Sequence, residues 1–334
     1  VVDGIVYIGG PDGFVNAIDV DTGKELWRFE TKSTTSASLS VAAGKVFFGS
    51  LGPQPEYYAL DMKTGKEIWR QEAADYKAGY SMTGAPLVAN GVLITGISGG
   101  EYGTRGFLDG WDPATGEKLW RRYTTAAPGE PGGDSWAGSK AYLEGGAPTW
   151  LTGSYDPDLD LVFWGTGNGG PWNPTGPREG DNLYINCALA IKPKTGEIAW
   201  HFQFSPNDPY DYDGVNELVL AELPIDGKPR KVIMQANRNG FFYVLDRATG
   251  KLLAANPFVD KINWAKGIDL ETGRPIDTEM TTMVRKTPEM EEPVEVWPSA
   301  LGGKNWMPMS FDPNTGLVYA NIQNYGMTYL TLIE

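Results

Sequence analysis

One phrase recurs along this chain and restricts its folding more than any other feature. It reads Ala17-Ile-Asp-Val-Asp-Thr-Gly-Lys-Glu-Leu-Trp27, then Ala59-Leu-Asp-Met-Lys-Thr-Gly-Lys-Glu-Ile-Trp69. It returns as Gly110-Trp-Asp-Pro-Ala-Thr-Gly-Glu-Lys-Leu-Trp120 and Ala190-Ile-Lys-Pro-Lys-Thr-Gly-Glu-Ile-Ala-Trp200. Shorter copies without the tryptophan end at Gly250 and Gly316. The phrase has a physical reading. A hydrophobic strand stops at an aspartate whose carboxylate can accept turn N–H groups, Thr-Gly closes the turn with glycine free to take positive φ, and a second strand carries the tryptophan inward.

The four tryptophans fall 42, 51 and 80 residues apart. That spacing is close to the period of about 40–50 residues of a propeller blade, with insertions. Alternating apolar runs such as Val46-Phe-Phe-Gly-Ser lie between the copies. A set of unrelated hairpins would not hold the tryptophan at one offset four times. The chain is therefore expected to be all-β and to form a β-propeller, in which each four-stranded sheet buries its faces against its neighbours.

Composition agrees with many short strands joined by tight turns. The 334 residues include 43 Gly and 24 Pro, yet 41% are hydrophobic and 12% aromatic, which disordered chains lack. The net charge of −14 argues against nucleic acid and anionic membrane surfaces, and suits a basic protein partner. No apolar run reaches 18 residues, so no membrane span is expected. Cys187 stands alone, which excludes an intrachain disulfide, and His201 stands alone, which excludes a multi-histidine zinc site or a Ser-His-Asp set. No Gly-x-Gly-x-x-Gly joins a strand to a helix, so a nicotinamide cofactor is not expected. The opening Val1-Val2-Asp3-Gly4 reads as a strand approach, so upstream residues are expected.

The repeated phrase resembles the tryptophan-docking motif of quinoprotein alcohol and methanol dehydrogenases. The resemblance implies an eight-bladed propeller, of which this chain covers five to six blades. Residues 1–334 are then expected to be one propeller domain, incomplete at both ends. It also implies oxidation of an alcohol with pyrroloquinoline quinone (PQQ) and a metal ion, in a periplasmic enzyme that passes electrons to a cytochrome c.

Several segments match the family residue by residue. Ser98-Gly-Gly-Glu101 follows an apolar strand, and a carboxylate in a Gly-rich turn suits a hard cation. The resemblance makes Glu101 a metal ligand and lays Ser98, Gly99 and Gly100 against the cofactor, with Thr83 contributing a hydroxyl. Trp150 would stack on the quinone, and Asn168, in the Gly-x-Gly-Asn turn 18 residues later, would be a second metal ligand. Read without the resemblance, these would be a core tryptophan and a turn-forming asparagine.

The segment Ser205-Pro-Asn-Asp-Pro-Tyr-Asp211-Tyr-Asp213 reads alone as an acidic surface loop. The resemblance makes Asp211 the general base that removes the hydroxyl proton, and a metal ligand. In a strand-like stretch residues two apart face the same way, so Asp213 can join Asp211 at one site. Calcium-dependent members usually carry a neutral residue at that position and lanthanide-dependent members an aspartate. A lanthanide is therefore favoured over Ca2+. Arg238 would stabilise negative charge growing on the quinone oxygen, and Asn305 and Trp306 would contact the cofactor.

The chain departs from the family in three ways. Thr31 through Ala43 lacks the adjacent cysteines of the face opposite the tryptophan, the arginine that follows them is missing, and Pro148 replaces a threonine. Two other readings stay open, a non-catalytic propeller scaffold and an inactive homologue. A scaffold has no reason to keep Glu101, Asn168, Asp211, Arg238 and Trp150 together.

Overall fold

The computed structural model of this protein describes residues 1–31, 33–52, 55–173 and 178–332. Five antiparallel sheets follow one another in sequence. Blade one has three strands, Ile5–Gly9, Phe14–Asp19 and Glu25–Glu30. Blade two has Thr34–Ala42, Lys45–Gly52, Glu56–Asp61 and Glu67–Glu72, and blade three Leu87–Ala89, Val92–Gly96, Phe107–Trp111 and Lys118–Tyr123. Blade four has Ser154–Asp156, Leu161–Gly165, Cys187–Ile191 and Ile198–Gln203. Blade five has Val219–Ile225, Lys228–Ala236, Phe241–Asp246 and Leu252–Pro257. Strand pairs and one short helix, Glu279–Val284, follow. This is the propeller architecture that the repeat predicts.

Burial explains why the strands read as they do. The central strands Phe107–Trp111, Leu161–Gly165 and Cys187–Ile191 are buried at every position, because a neighbouring blade covers each face. The last strands Glu25–Glu30 and Glu67–Glu72 are largely exposed, and their charged residues meet water.

The recurring phrase turns out to be the joint between blades. Trp27 donates its Nε1–H to the Met62 carbonyl of the next blade at 3.0 Å, Trp69 to Pro113 at 3.2 Å and Trp120 to Pro193 at 2.9 Å. Each of these rings also covers the Thr-Gly glycine of the next blade. A Cβ on Gly65, Gly116 or Gly196 would lie 2.5–2.7 Å from the tryptophan that covers it. Trp200 seats on Gly250 in the same way, but its Nε1–H has no acceptor among the described residues. The turn chemistry is also as read. Asp61 Oδ1 accepts the Thr64 N–H and hydroxyl, both at 2.8 Å, and these bonds hold its carboxyl below the usual range.

One further copy of the turn escapes a reading keyed to tryptophan. Asp269-Leu-Glu-Thr-Gly273 makes the same bonds, with Thr272 N–H on Asp269 Oδ1 at 2.8 Å, and Gly273 lies beneath Phe202 rather than beneath a tryptophan.

Candidate active site

Strand direction decides where the candidate residues meet. In a four-stranded antiparallel blade, the loop from strand two to strand three and the connector to the next blade leave from the same end. Glu101, Asn168 and Arg238 occupy the strand two to three loops of blades three, four and five. Thr83, Trp150 and Asp211 occupy the connectors that enter those same blades. The Thr-Gly turns lie at the opposite end.

Ten of these residues and their neighbours enclose a cavity of about 210 Å³. They are Thr83, Ser98, Gly99, Gly100, Glu101, Pro148, Trp150, Asp211, Asp213 and Arg238. Thr83 Oγ1 donates to the Trp150 carbonyl at 2.9 Å and lies 2.7 Å from Ser98 Oγ. Two glycines leave room for side chains of the site. A Cβ on Gly100 would lie 2.8 Å from Asn168 Oδ1, and one on Gly167 would lie 2.5 Å from Asp213 Oδ1.

The charged groups converge on one guanidinium. Arg238 Nη1 meets Asp211 Oδ2 at 3.1 Å and Nη2 meets Asp213 Oδ2 at 2.8 Å, while its Cζ stands 6.0 Å from the centre of the Trp150 ring. Asp213 Oδ1 accepts the Asn168 N–H at 2.6 Å. Burial, with the neighbouring Asp213 charge, pushes Asp211 up to about 9 despite Arg238. Burial also raises Asp213, against the pull of Arg238 and the Asn168 N–H. Asn168 Oδ1 and Asp211 Oδ1 are buried with no protein partner among the described residues. Two acceptor atoms without donors, beside two desolvated carboxyl groups, suit a hard cation. Glu101 lines the same cavity from its exposed rim. Among the described residues no three His, Cys, Asp or Glu side chains form a ready metal cluster.

The family model described as the PQQ glucose/ethanol/alcohol dehydrogenase β-propeller domain matches residues 72–256. The chain belongs to this family of quinoprotein alcohol dehydrogenases. It is similar to quinohemoprotein alcohol dehydrogenase ADH IIB of Pseudomonas putida, with 44% identity over 98% of this chain and 49% of the relative. It is also similar to quinoprotein alcohol dehydrogenase PedH of Pseudomonas putida, at 40% identity over 98% of this chain and 58% of that protein. The chain thus spans about half the length of the curated relatives it matches. Among solved structures, quinohemoprotein alcohol dehydrogenase ADHIIG of Pseudomonas putida HK5 superposes with a TM-score of 0.92 at 39% identity, covering 100% of this chain and 52% of that one. A europium-containing methanol dehydrogenase superposes with a TM-score of 0.87 at 34% identity, covering 96% of this chain and 60% of that one.

Within this quinoprotein framework the geometry of Asp211 and Asp213 differs from expectation, and Asn305 and Trp306 sit apart from the cavity. Asp211 is not in a strand-like stretch, because its φ is +64°, in the left-handed region. The two aspartates share a site because one arginine fork reaches both, not because alternate strand positions face the same way. Asn305 and Trp306 do not line the cavity. The Asn305 amide donates to Leu301 O and its Oδ1 accepts the Trp306 N–H, both at 2.8 Å, while the Trp306 ring is 55% exposed. Their segment instead backs Arg238. Ala300 O accepts Nη1 at 3.2 Å, Gly303 N–H donates to Arg238 O at 2.8 Å, and a Cβ on Gly302 would lie 2.7 Å from Arg238 Cα.

Sequence reasoning also passed over groups that touch or support the site. Pro148, noted only as a departure from the family, forms a wall of the cavity and would lie within 2.9 Å of a Cβ on Gly100. Asp208 and Arg178 are buried behind Asp211, and no local pattern marks either as more than an ordinary loop residue.

Proposed function

We propose that this chain carries the catalytic centre of a PQQ- and metal-dependent dehydrogenase that oxidises a primary alcohol to its aldehyde. The observation that carries this reading is the cluster of Asp211, Asp213 and Arg238 opposite Trp150, with orphaned acceptors on Asn168 and Asp211.

The residues fit the absent groups in chemistry. Glu101, Asn168, Asp211 and Asp213 would hold the metal ion, and Thr83, Ser98, Gly99, Gly100, Trp150 and Arg238 would bind the cofactor. When bound, PQQ would supply the hydride acceptor, and the metal ion would supply positive charge that polarises it and opposes the upward push of burial on Asp211. Asp211 then accepts the alcohol hydroxyl proton on a carboxylate oxygen. Arg238 sets a fixed positive charge where negative charge grows, and at a buried position that donor costs little reorganisation. Trp150 offers a flat apolar wall that orients an aromatic ring and excludes water.

Asp213 adds a carboxylate to the donor set, which favours a trivalent lanthanide over Ca2+, and the likeness to a europium-containing dehydrogenase points the same way. A periplasmic enzyme that hands its electrons to a cytochrome c is consistent with the family and with the net charge of −14.

The test is a titration of purified protein with PQQ in the presence of Ca2+ or La3+, followed by absorbance and dye-linked alcohol oxidation. Stoichiometric binding with metal-dependent turnover that drops to a small residual rate in Asp211→Asn supports the reading. No PQQ binding by folded protein refutes it. Restoration of metal-free protein by Ca2+ but not by La3+ or Ce3+ would overturn the lanthanide preference.

A further inference from the structure

We infer that Asp208 is a positioning residue, whose buried carboxylate holds the loop that aims Asp211 into the cavity. This inference rests on the reading of Asp211 as the proton acceptor. Asp211 sits at φ +64°, a conformation that a non-glycine residue seldom keeps unless its surroundings impose it. The peptide groups on either side supply that imposition. Asp208 Oδ1 accepts the Tyr210 N–H at 3.1 Å and Oδ2 accepts the Tyr212 N–H at 2.7 Å, so one carboxylate spans the residue between them. The Asn186 amide donates to Oδ2 at 2.9 Å and fixes the carboxylate in turn.

The support extends one layer further. Arg178, fully buried, donates to the Asp208 carbonyl at 2.7 Å and to Asn182 Oδ1 at 2.8 Å. The Tyr212 hydroxyl donates to Pro298 O at 2.6 Å and pins the far side of the loop. Asp208 itself does not line the cavity. It can therefore reach the chemistry only through the loop that carries Asp211 and Asp213. Asparagine in its place would turn an NH2 group toward one of the two N–H donors, because an amide has a single acceptor oxygen.

The experiment compares purified protein loaded with PQQ and La3+ with its Asp208→Asn variant. The variant should lose about 10- to 100-fold in kcat through misplacement of the base, with KM for the alcohol and PQQ binding unchanged. In an Asp211→Asn background the same substitution should cost nothing further, because the two act as one unit. Independent additive losses, or full turnover in the single variant, would overturn the inference. Asn186→Gly withdraws only one donor from Asp208 and suits that residue's φ of +50°. It should show a smaller loss, also cancelled by Asp211→Asn, and serves if Asp208→Asn does not fold. Hydrogen exchange separates this inference from the reading beneath it. The Tyr210 and Tyr212 amides should exchange faster in Asp208→Asn while the blades keep their protection. Unchanged protection would sink the inference whatever the activity, whereas absence of turnover in the wild-type protein would refute the proposed dehydrogenase reading and not the hold of Asp208 on its loop.

Discussion

At the scale of single residues, the site is organised around Arg238. Its guanidinium engages both Asp211 and Asp213, a bidentate task that the compact ammonium of lysine performs poorly. Removing it would leave two buried carboxylates facing each other. Arg238→Ala should therefore destabilise metal-free protein by about 3–5 kcal/mol, read as a lower urea midpoint. A cation that binds the two carboxylates should recover part of that loss through linkage. An unchanged midpoint would show that the two ion pairs contribute nothing net. Asp211 and Asp213 were visible in the sequence as a pair, but the reason they share a site was not. The fork that joins them comes from a loop 25 residues beyond Asp213.

At the scale of elements, the blade joints can be tested by a matched pair of substitutions. Gly196 has φ +69° and lies beneath Trp120, whereas Gly316 has φ +70° with no atom near its missing Cβ. Gly316→Ala should cost about 1–2 kcal/mol from backbone conformation alone. Gly196→Ala should cost about 1–3 kcal/mol more, because the methyl overlaps the ring. Equal thermal shifts would remove the docking role from the tryptophan. Blades four and five are also tied by a buried pair, Asp156 with Arg247 at 2.7 Å. Burial alone would raise the Asp156 carboxyl, but Arg247 and the Asp158 and Leu159 N–H groups outweigh it and hold it below the usual range. A carboxyl lowered on folding stabilises the fold fully above the unfolded value near 3.9 and loses that contribution as pH falls through the folded one. Asp156→Asn should flatten this part of the acid limb of the denaturation midpoint. A limb as steep as in the wild type would assign it to other carboxyls.

At the scale of the whole molecule, antiparallel connectivity sorts the chain into two ends. The repeated turns build one end and the candidate site the other, so the features that reveal the fold and those that carry chemistry never compete for the same loops. The charge of −14 also acts at this scale. If electrons pass to a basic cytochrome c, the rate of its reduction should fall steeply as ionic strength rises, since the Debye length shortens from roughly 10 Å at 0.1 M to roughly 3 Å at 1 M. A salt-independent rate would point to a partner of other charge.

Much of this protein was decided locally and could be read without coordinates. The turn keeps threonine and glycine in fixed order, with an aspartate ahead of them in every copy but the one at Lys192, and a buried strand needs apolar side chains, so the repeat predicts both the all-β class and the blade. Tertiary structure decided which residues meet. Asn305 and Trp306 share a segment with Arg238's backing, yet the course of that segment turns them out of the cavity. Pro148 and Asp208 serve the site through close approach and buried hydrogen bonds. The Pro148 contact depends on partners distant in sequence, and the short-range bonds of Asp208 gain their role from a backbone angle at Asp211 that no side chain spells out.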